Sequence, residues 1–162
     1  MATSKMDVGA AREKVRDLLH AYARAIDDGR YEEWPEFFLD NGEYFIIPRE
    51  NLNRGSNFAV FSCFGKGMMK DRARVLNQAT VYNIHFPRRM ISNIEVSVAE
   101  DGTAEAFSNY TVYQSDQEGR TILYSVGQYR DTVSFVEGEA KFAKKIVILD
   151  TFGIPNLIAV PI

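Results

Sequence analysis

The 162-residue chain is 46% hydrophobic and 25% charged, the make-up of one ordinary globular domain over residues 1–162 that can bury roughly 70% of its unfolded surface. Its net charge of −3, with basic residues scattered, gives no long-range attraction for phosphate backbones and argues against nucleic-acid binding. No apolar run reaches the roughly 18–20 residues of a membrane span, the opening residues lack the apolar core of an export signal, and the single cysteine excludes an internal disulfide, so a cytoplasmic location is expected.

The first predicted element is a helix, in which Val15, Leu18, Leu19, Tyr22, Ala23 and Ile26 follow the i, i+3, i+4, i+7 spacing of one buried face. It stops at "DDG", where Gly29 supplies a C-terminal cap. "YEEWPEFF" reads as a short second helix with Pro35 in its first turn and Trp34, Phe37 and Phe38 facing inward. "LDNG" breaks it, and "EYFII" is a strand closed by Pro48. Residues 49–57 read as an exposed loop, and "FAVFSCF" as either a strand or a buried turn. "MMKDRARVLNQA" has Met69, Arg72, Ala73 and Leu76 at helical spacing and forms a third helix.

The remainder is strand. "RRMISNIEVSVAE" places Met90, Ile94, Val96 and Val98 on one face, and three further long strands follow, joined by "EDG", "DQEG" and "EGE". Gly127, in the middle of one strand, marks a bulge or bend by which a sheet curls. Helices first and a curled antiparallel meander after them predict an α+β fold, with the helices in the concave face of the sheet and a pocket between.

A Rieske iron–sulfur centre takes two Cys and two His, and a mononuclear iron site adds two His and a carboxylate. One Cys and two His, namely Cys63, His20 and His85, cannot supply that set. A site of His20, His85 and an Asp remains possible by count, but His20 falls off the buried stripe and is expected in solvent. The one G-x-G, at Gly65 and Gly67, lacks the third glycine of a dinucleotide fingerprint, and Lys66 lacks the rest of a P-loop. Cys63, between Phe61 and Phe64, reads as a buried inert thiol.

General acid–base chemistry is the rival reading, since a pocketed cone can use one Asp or an Asp–His pair. Its candidates are Asp27, Asp28, His85, Asn93, Tyr110, Gln128, Arg130 and Asp150. Several have a simpler structural role. Asp27 and Asp28 suit a helix end or an arginine partner, Asn93 suits a bulge, Asp150 and Arg130 suit a mutual ion pair, and His85 lies in what reads as a connecting loop.

"YARAIDDGRYEEWPEFFLDNGEYFIIP", "FPRRMISNIEV" and "SNYTVYQSD…YSVGQYRDTV…FAKKIVILD", in that order, resemble the small (β) subunits of bacterial aromatic-ring-hydroxylating oxygenases across nearly the whole chain. The resemblance implies an NTF2-like cone without catalytic residues, cofactor ligands or metal ligands of its own. It implies a large (α) subunit as partner, in an α3β3 hexamer. That partner would carry the Rieske [2Fe–2S] cluster and mononuclear Fe(II), with electrons from NADH through a reductase. Related cone-fold dehydratases and isomerases share the first segment, so a stand-alone acid–base enzyme using Asp28 and His85 is the alternative.

In many pocketed relatives a His stands just before the strand that begins "MIS"; here Arg89 does, and it cannot act as a base at ordinary pH. Lys144 and Lys145 stand where an Arg is more usual. On this reading the acidic–aromatic stretch around Trp34 is a structural hinge. Residues 49–57, Arg88 and Arg89, and the apolar "NLIAVPI" are the candidate partner surface.

Overall fold

The structure, a computed structural model, describes residues 7–78, 84–151 and 160–162. Helix α1 spans Val8–Asp27, its first turn capped by Asp7, whose carboxylate accepts from the Ala10 N–H at 3.2 Å. Its buried stripe includes all six predicted positions, with Ala11 and Ala25 beside them. Gly29, at φ +74°, ends it: the Arg30 N–H reaches back to Ala25 O at 2.8 Å across a left-handed residue that a side chain would strain.

The expected second helix, Tyr31–Phe37, is a 3₁₀ turn. Pro35 has no N–H to give, and in an α-helix its ring would strike the Tyr31 carbonyl. Trp34 and Phe38 are fully buried, Phe37 partly so. Trp34 meets the Tyr44 ring edge-on at 5.3 Å, and Phe38 meets Phe142 at 5.2 Å. These contacts dock the turn on the sheet, which a single turn could not do by its own helix propensity.

Strand β1 begins earlier than expected, at Phe38, and runs to Pro48 through the "LDNG" stretch with a register shift between Phe38 and Glu43. The predicted loop after it contains a short helix α2, Arg49–Asn53, and "FAVFSCF" resolves to an edge strand β2, Phe61–Phe64. Helix α3, Lys66–Gln78, buries Met69, Ala73 and Leu76, while Arg72 lies over the Phe61 ring at 5.3 Å. Strands β3 (His85–Val98), β4 (Ala104–Asp116), β5 (Thr121–Val136) and β6 (Glu139–Leu149) complete one sheet of order β2-β1-β6-β5-β4-β3. Every pairing is antiparallel except β1 with β6, so the sheet is mixed.

Strand β3 departs from its predicted face. Asn93, at φ +52°, forms a bulge that shifts the β3–β4 register between Ser92 and Glu95. Arg89 and Ile91 point inward before it; Ile94, Val96 and Val98 do so after it. Met90 therefore faces out, 60% exposed, which corrects the expectation that it shares the apolar face. Gly127 sits in register with Tyr110 and Leu149, and the shifts in its strand lie elsewhere. What it answers is a close approach: a Cβ there would stand 1.8 Å from Ile148 O. Among the described residues no helix is long and apolar enough to cross a membrane.

Candidate functional site

The last turns of α1 bring Tyr22 and Asp27 over the sheet, where β1 offers Tyr44, β3 Arg89, and β5 Tyr129. Arg89 points inward because the bulge at Asn93 leaves the odd-numbered positions of β3 on the core side up to Ile91. Its side chain is 2% exposed and that of Asp27 7%. The Asp27 carboxylate accepts from the Arg89 backbone N–H at 2.7 Å and from its guanidinium, which also donates to Pro161 O. Burial works against that charge, but the Tyr129 phenol, the Asp27 carboxylate and the Tyr22 phenol together hold the guanidinium above its ordinary value.

Val160, Pro161 and Ile162 fill the space beneath these groups and are buried. Tyr22 donates its hydroxyl to Ile162 O at 2.6 Å. Tyr44 OH accepts from the Ile162 N–H at 2.9 Å and donates to Ile162 O at 3.1 Å. Burial raises the phenols of Tyr22, Tyr44 and Tyr129, so all three stay protonated. This set donates hydrogen bonds and holds one buried ion pair, and with Asp27 committed to Arg89 its described residues present no free base.

Beside it lies a second buried pair that sequence reasoning missed. Lys145 donates to both Asp131 oxygens, at 3.0 and 3.1 Å, and stands 3.6 Å from the Tyr129 ring centroid. Burial pushes Asp131 up to about 6, more than Lys145 draws it back, and draws Lys145 down. Asp131 pairs with Lys145 in the β5–β6 register and alternates with the buried Tyr129 and Val133. That alternation was the available signal.

The other candidates separate. Asp28 is exposed and lies 3.6 Å from both Arg30 and Arg88. It lines a cleft of about 370 Å³ with His20, Arg24, Asp27, Arg88 and Arg89, but His85 is not in that lining. His85 is the first residue of β3, opposite Asp116, not part of a loop. That cleft thus does not bring Asp28 and His85 together. Tyr110 OH bonds Ser125 Oγ at 3.0 Å; Asn93, Gln128 and Arg130 line a different cleft, of about 400 Å³. Asp150 pairs with Arg49 at 2.5 Å, which corrects the expected pairing with Arg130.

Two parts of the expected partner surface are also corrected. The Arg89 side chain is inside, and of the "NLIAVPI" stretch residues 160–162 are buried; residues 156–159 lie outside the described ones. Arg88 remains outside, its side chain 67% exposed. Among the described residues no three His, Cys, Asp or Glu side chains converge to hold a metal. Cys63 is buried on β2, its thiol pushed up to about 11 by burial, and His20 is exposed on α1. These donors do not fit an iron–sulfur or iron centre.

Comparison with known proteins points in one direction. The model of the SnoaL-like domain family matches residues 9–145. The chain is 34% identical to the anthranilate 1,2-dioxygenase small subunit of Burkholderia cepacia, over 90% of each chain. It is 25% identical to terephthalate 1,2-dioxygenase, terminal oxygenase component subunit beta 2, of a Comamonas species, over 88% of this chain and 92% of that one. A crystal structure from Novosphingobium aromaticivorans, assigned as the beta subunit of an aromatic-ring-hydroxylating dioxygenase, superposes with a TM-score of 0.85 at 34% identity, covering 94% of this chain and 97% of that one. The beta subunit of the benzoate 1,2-dioxygenase of Burkholderia mallei shares the fold, with a TM-score of 0.71 at 15% identity over 93% of each chain.

Proposed function

The chain belongs to the SnoaL-like domain family, with an NTF2-like fold, and within it to the small subunits of aromatic-ring-hydroxylating dioxygenases; from that membership we propose that it is a supporting subunit with no chemistry of its own. The observation that carries this reading is the state of the cone's interior. Asp27, the carboxylate at its mouth, is committed to Arg89, and residues 160–162 occupy the space beneath. A general base needs a free lone pair within reach of a substrate; among the described residues, Asp27 spends its carboxylate on Arg89 and residues 160–162 take up the space beside it, which supports a role without acid–base chemistry.

On this reading the partner is a large oxygenase subunit, in an α3β3 assembly. That subunit holds the Rieske cluster and the mononuclear iron, and NADH supplies electrons through a reductase. The outer face of the sheet supports the need for a partner. Phe86, Arg88 and Met90 share one face of β3, Tyr113 lies opposite Arg88 on β4, and Leu123 lies opposite Tyr113 on β5. All five are exposed, an apolar strip with one arginine in it.

Co-expression with the large subunit of a ring-hydroxylating dioxygenase tests the proposal. The expected result is one complex on a sizing column, with iron and visible absorbance confined to the large subunit. Met90→Asp is expected to weaken it. Two chains that elute apart, or aromatic turnover by the small chain alone, would overturn the reading.

A further inference from the structure

The grip on residues 160–162 is polar and directional as well as apolar. Three backbone groups of the segment are met individually: Ile162 O by two phenols, the Ile162 N–H by Tyr44, and Pro161 O by the Arg89 guanidinium. Tyr44 takes the N–H and the main-chain oxygen of the same residue with one hydroxyl, acting as acceptor and donor at once. These receptor groups come from α1, β1 and β3, elements far from the segment in the chain.

A second observation concerns donors on the same wall that the segment leaves unused. Tyr129 OH and Arg89 Nε are buried and have no hydrogen-bond partner among the described residues. The two residues are electrostatic neighbours, since Arg89 draws the Tyr129 phenol down against the larger effect of burial. Among the described residues, the wall thus holds more donor capacity than residues 160–162 use. Buried donors without acceptors are rare in packed cores, and a few placed polar groups on an apolar wall are what a ligand pocket presents.

We infer that the interior of the cone is a peptide receptor, occupied in cis by Val160–Ile162, and that its ligand class is a short apolar peptide held by its main-chain oxygens and N–H. The tether keeps the segment seated by making its binding intramolecular. Detached, the same three residues bind as a separate ligand. This inference is independent of the supporting role proposed above, because its test uses the small chain alone and requires no large subunit.

The test is removal of residues 160–162 followed by titration with the free tripeptide Val-Pro-Ile. The shortened chain is expected to unfold at a lower temperature than the full chain. The tripeptide, binding with a Kd on the order of 1 mM, should raise that midpoint saturably, by roughly 3–6 °C at ten times Kd. Tyr44→Phe in the shortened chain should weaken peptide binding about tenfold, having lost the hydroxyl that serves both backbone groups. The full chain, already occupied, should show no saturable response. If the shortened chain does not fold alone, it is refolded with and without 10 mM tripeptide, and recovery of the native circular dichroism only with peptide supports the receptor. The inference is overturned by an unchanged midpoint on truncation, or by a folded shortened chain indifferent to the peptide. It is also overturned by failure to refold with peptide, by an equal response to Val-Pro-Asp, or by an equal response of the full chain.

Discussion

Lys145 and Asp131 face each other across neighbouring strands, ammonium to carboxylate at 3.0 and 3.1 Å, with neither side chain touching solvent. Burial dominates the titration of both partners, so the pair carries a desolvation cost that its Coulomb attraction only partly offsets.

Lys145→Met would leave Asp131 buried and unpaired, at a cost of about 3–5 kcal/mol near neutral pH. The double variant Asp131→Leu with Lys145→Met should be as stable as the natural chain or more so, by up to about 4 kcal/mol. Urea unfolding of the three proteins measures both outcomes.

The same pair sets a pH dependence with an unusual sign. Asp131 has its folded pKa raised to about 6, above the roughly 3.9 of an unfolded Asp, so between these values the folded state holds the extra proton. Its contribution to stability is fully present below the unfolded value and is lost as pH rises through about 6. Without the ammonium Asp131 takes its proton at a still higher pH, so the defect of Lys145→Met should shrink as the pH falls towards about 6 and level off below it, as unfolding midpoints between about pH 8 and 4 would reveal.

Trp34→Ala empties the centre of the aromatic group that docks the 3₁₀ turn, and should cost about 3–5 kcal/mol. Trp34→Phe should keep most of that stability, because the indole Nε1 has no acceptor to lose among the described residues. Chemical denaturation separates the two. A loss under about 1 kcal/mol for Trp34→Ala would contradict the packing account.

Asp28→Asn and His85→Ala should leave hydroxylation by the assembled oxygenase within a few-fold of the natural rate. Removing a true general acid or base costs about 10²–10⁴-fold. Reconstituted turnover, measured beside a sizing column, distinguishes these results.

Gly127→Ala should be among the costliest single changes, about 3 kcal/mol or more, since the new methyl group would meet the backbone carbonyl of Ile148 rather than a side chain able to turn away. A thermal melt of the purified variant measures it.

Much of the frame was legible in the residues. The spacing of Val15, Leu18, Leu19 and Tyr22 marked the buried face of α1, and the aromatic cluster around Trp34 marked a short docked helix, though not its 3₁₀ geometry. The site was harder to read, for identifiable physical reasons. Face assignment by alternation assumes an unbroken strand, and the bulge at Asn93 inverts it, which placed Met90 inside and Arg89 outside in error. Asp131 and Lys145 follow the inward alternation, but charged side chains are so rarely fully buried that alternation alone does not mark them as a buried pair. An apolar stretch such as "NLIAVPI" can cover a partner or its own core, and composition does not distinguish them. The partner of Asp150 depended on α2, a helix too short to leave a periodic signal.

The single parallel pairing in the sheet has a consequence for how the chain is made. Strand β1 lies between β2 and β6, and among the described residues β6 is the last strand to emerge during synthesis. The meander from β3 to β6 is joined by short turns and can close locally, whereas Tyr44 must wait for Lys145. Until then the inner edge of β1, with Ile46 and Ile47 on it, is an unpaired strand on a nascent chain, the kind of edge that recruits chaperones or aggregates. Slowed elongation just before β6 should therefore lower the yield of folded protein more than the same pause placed after it.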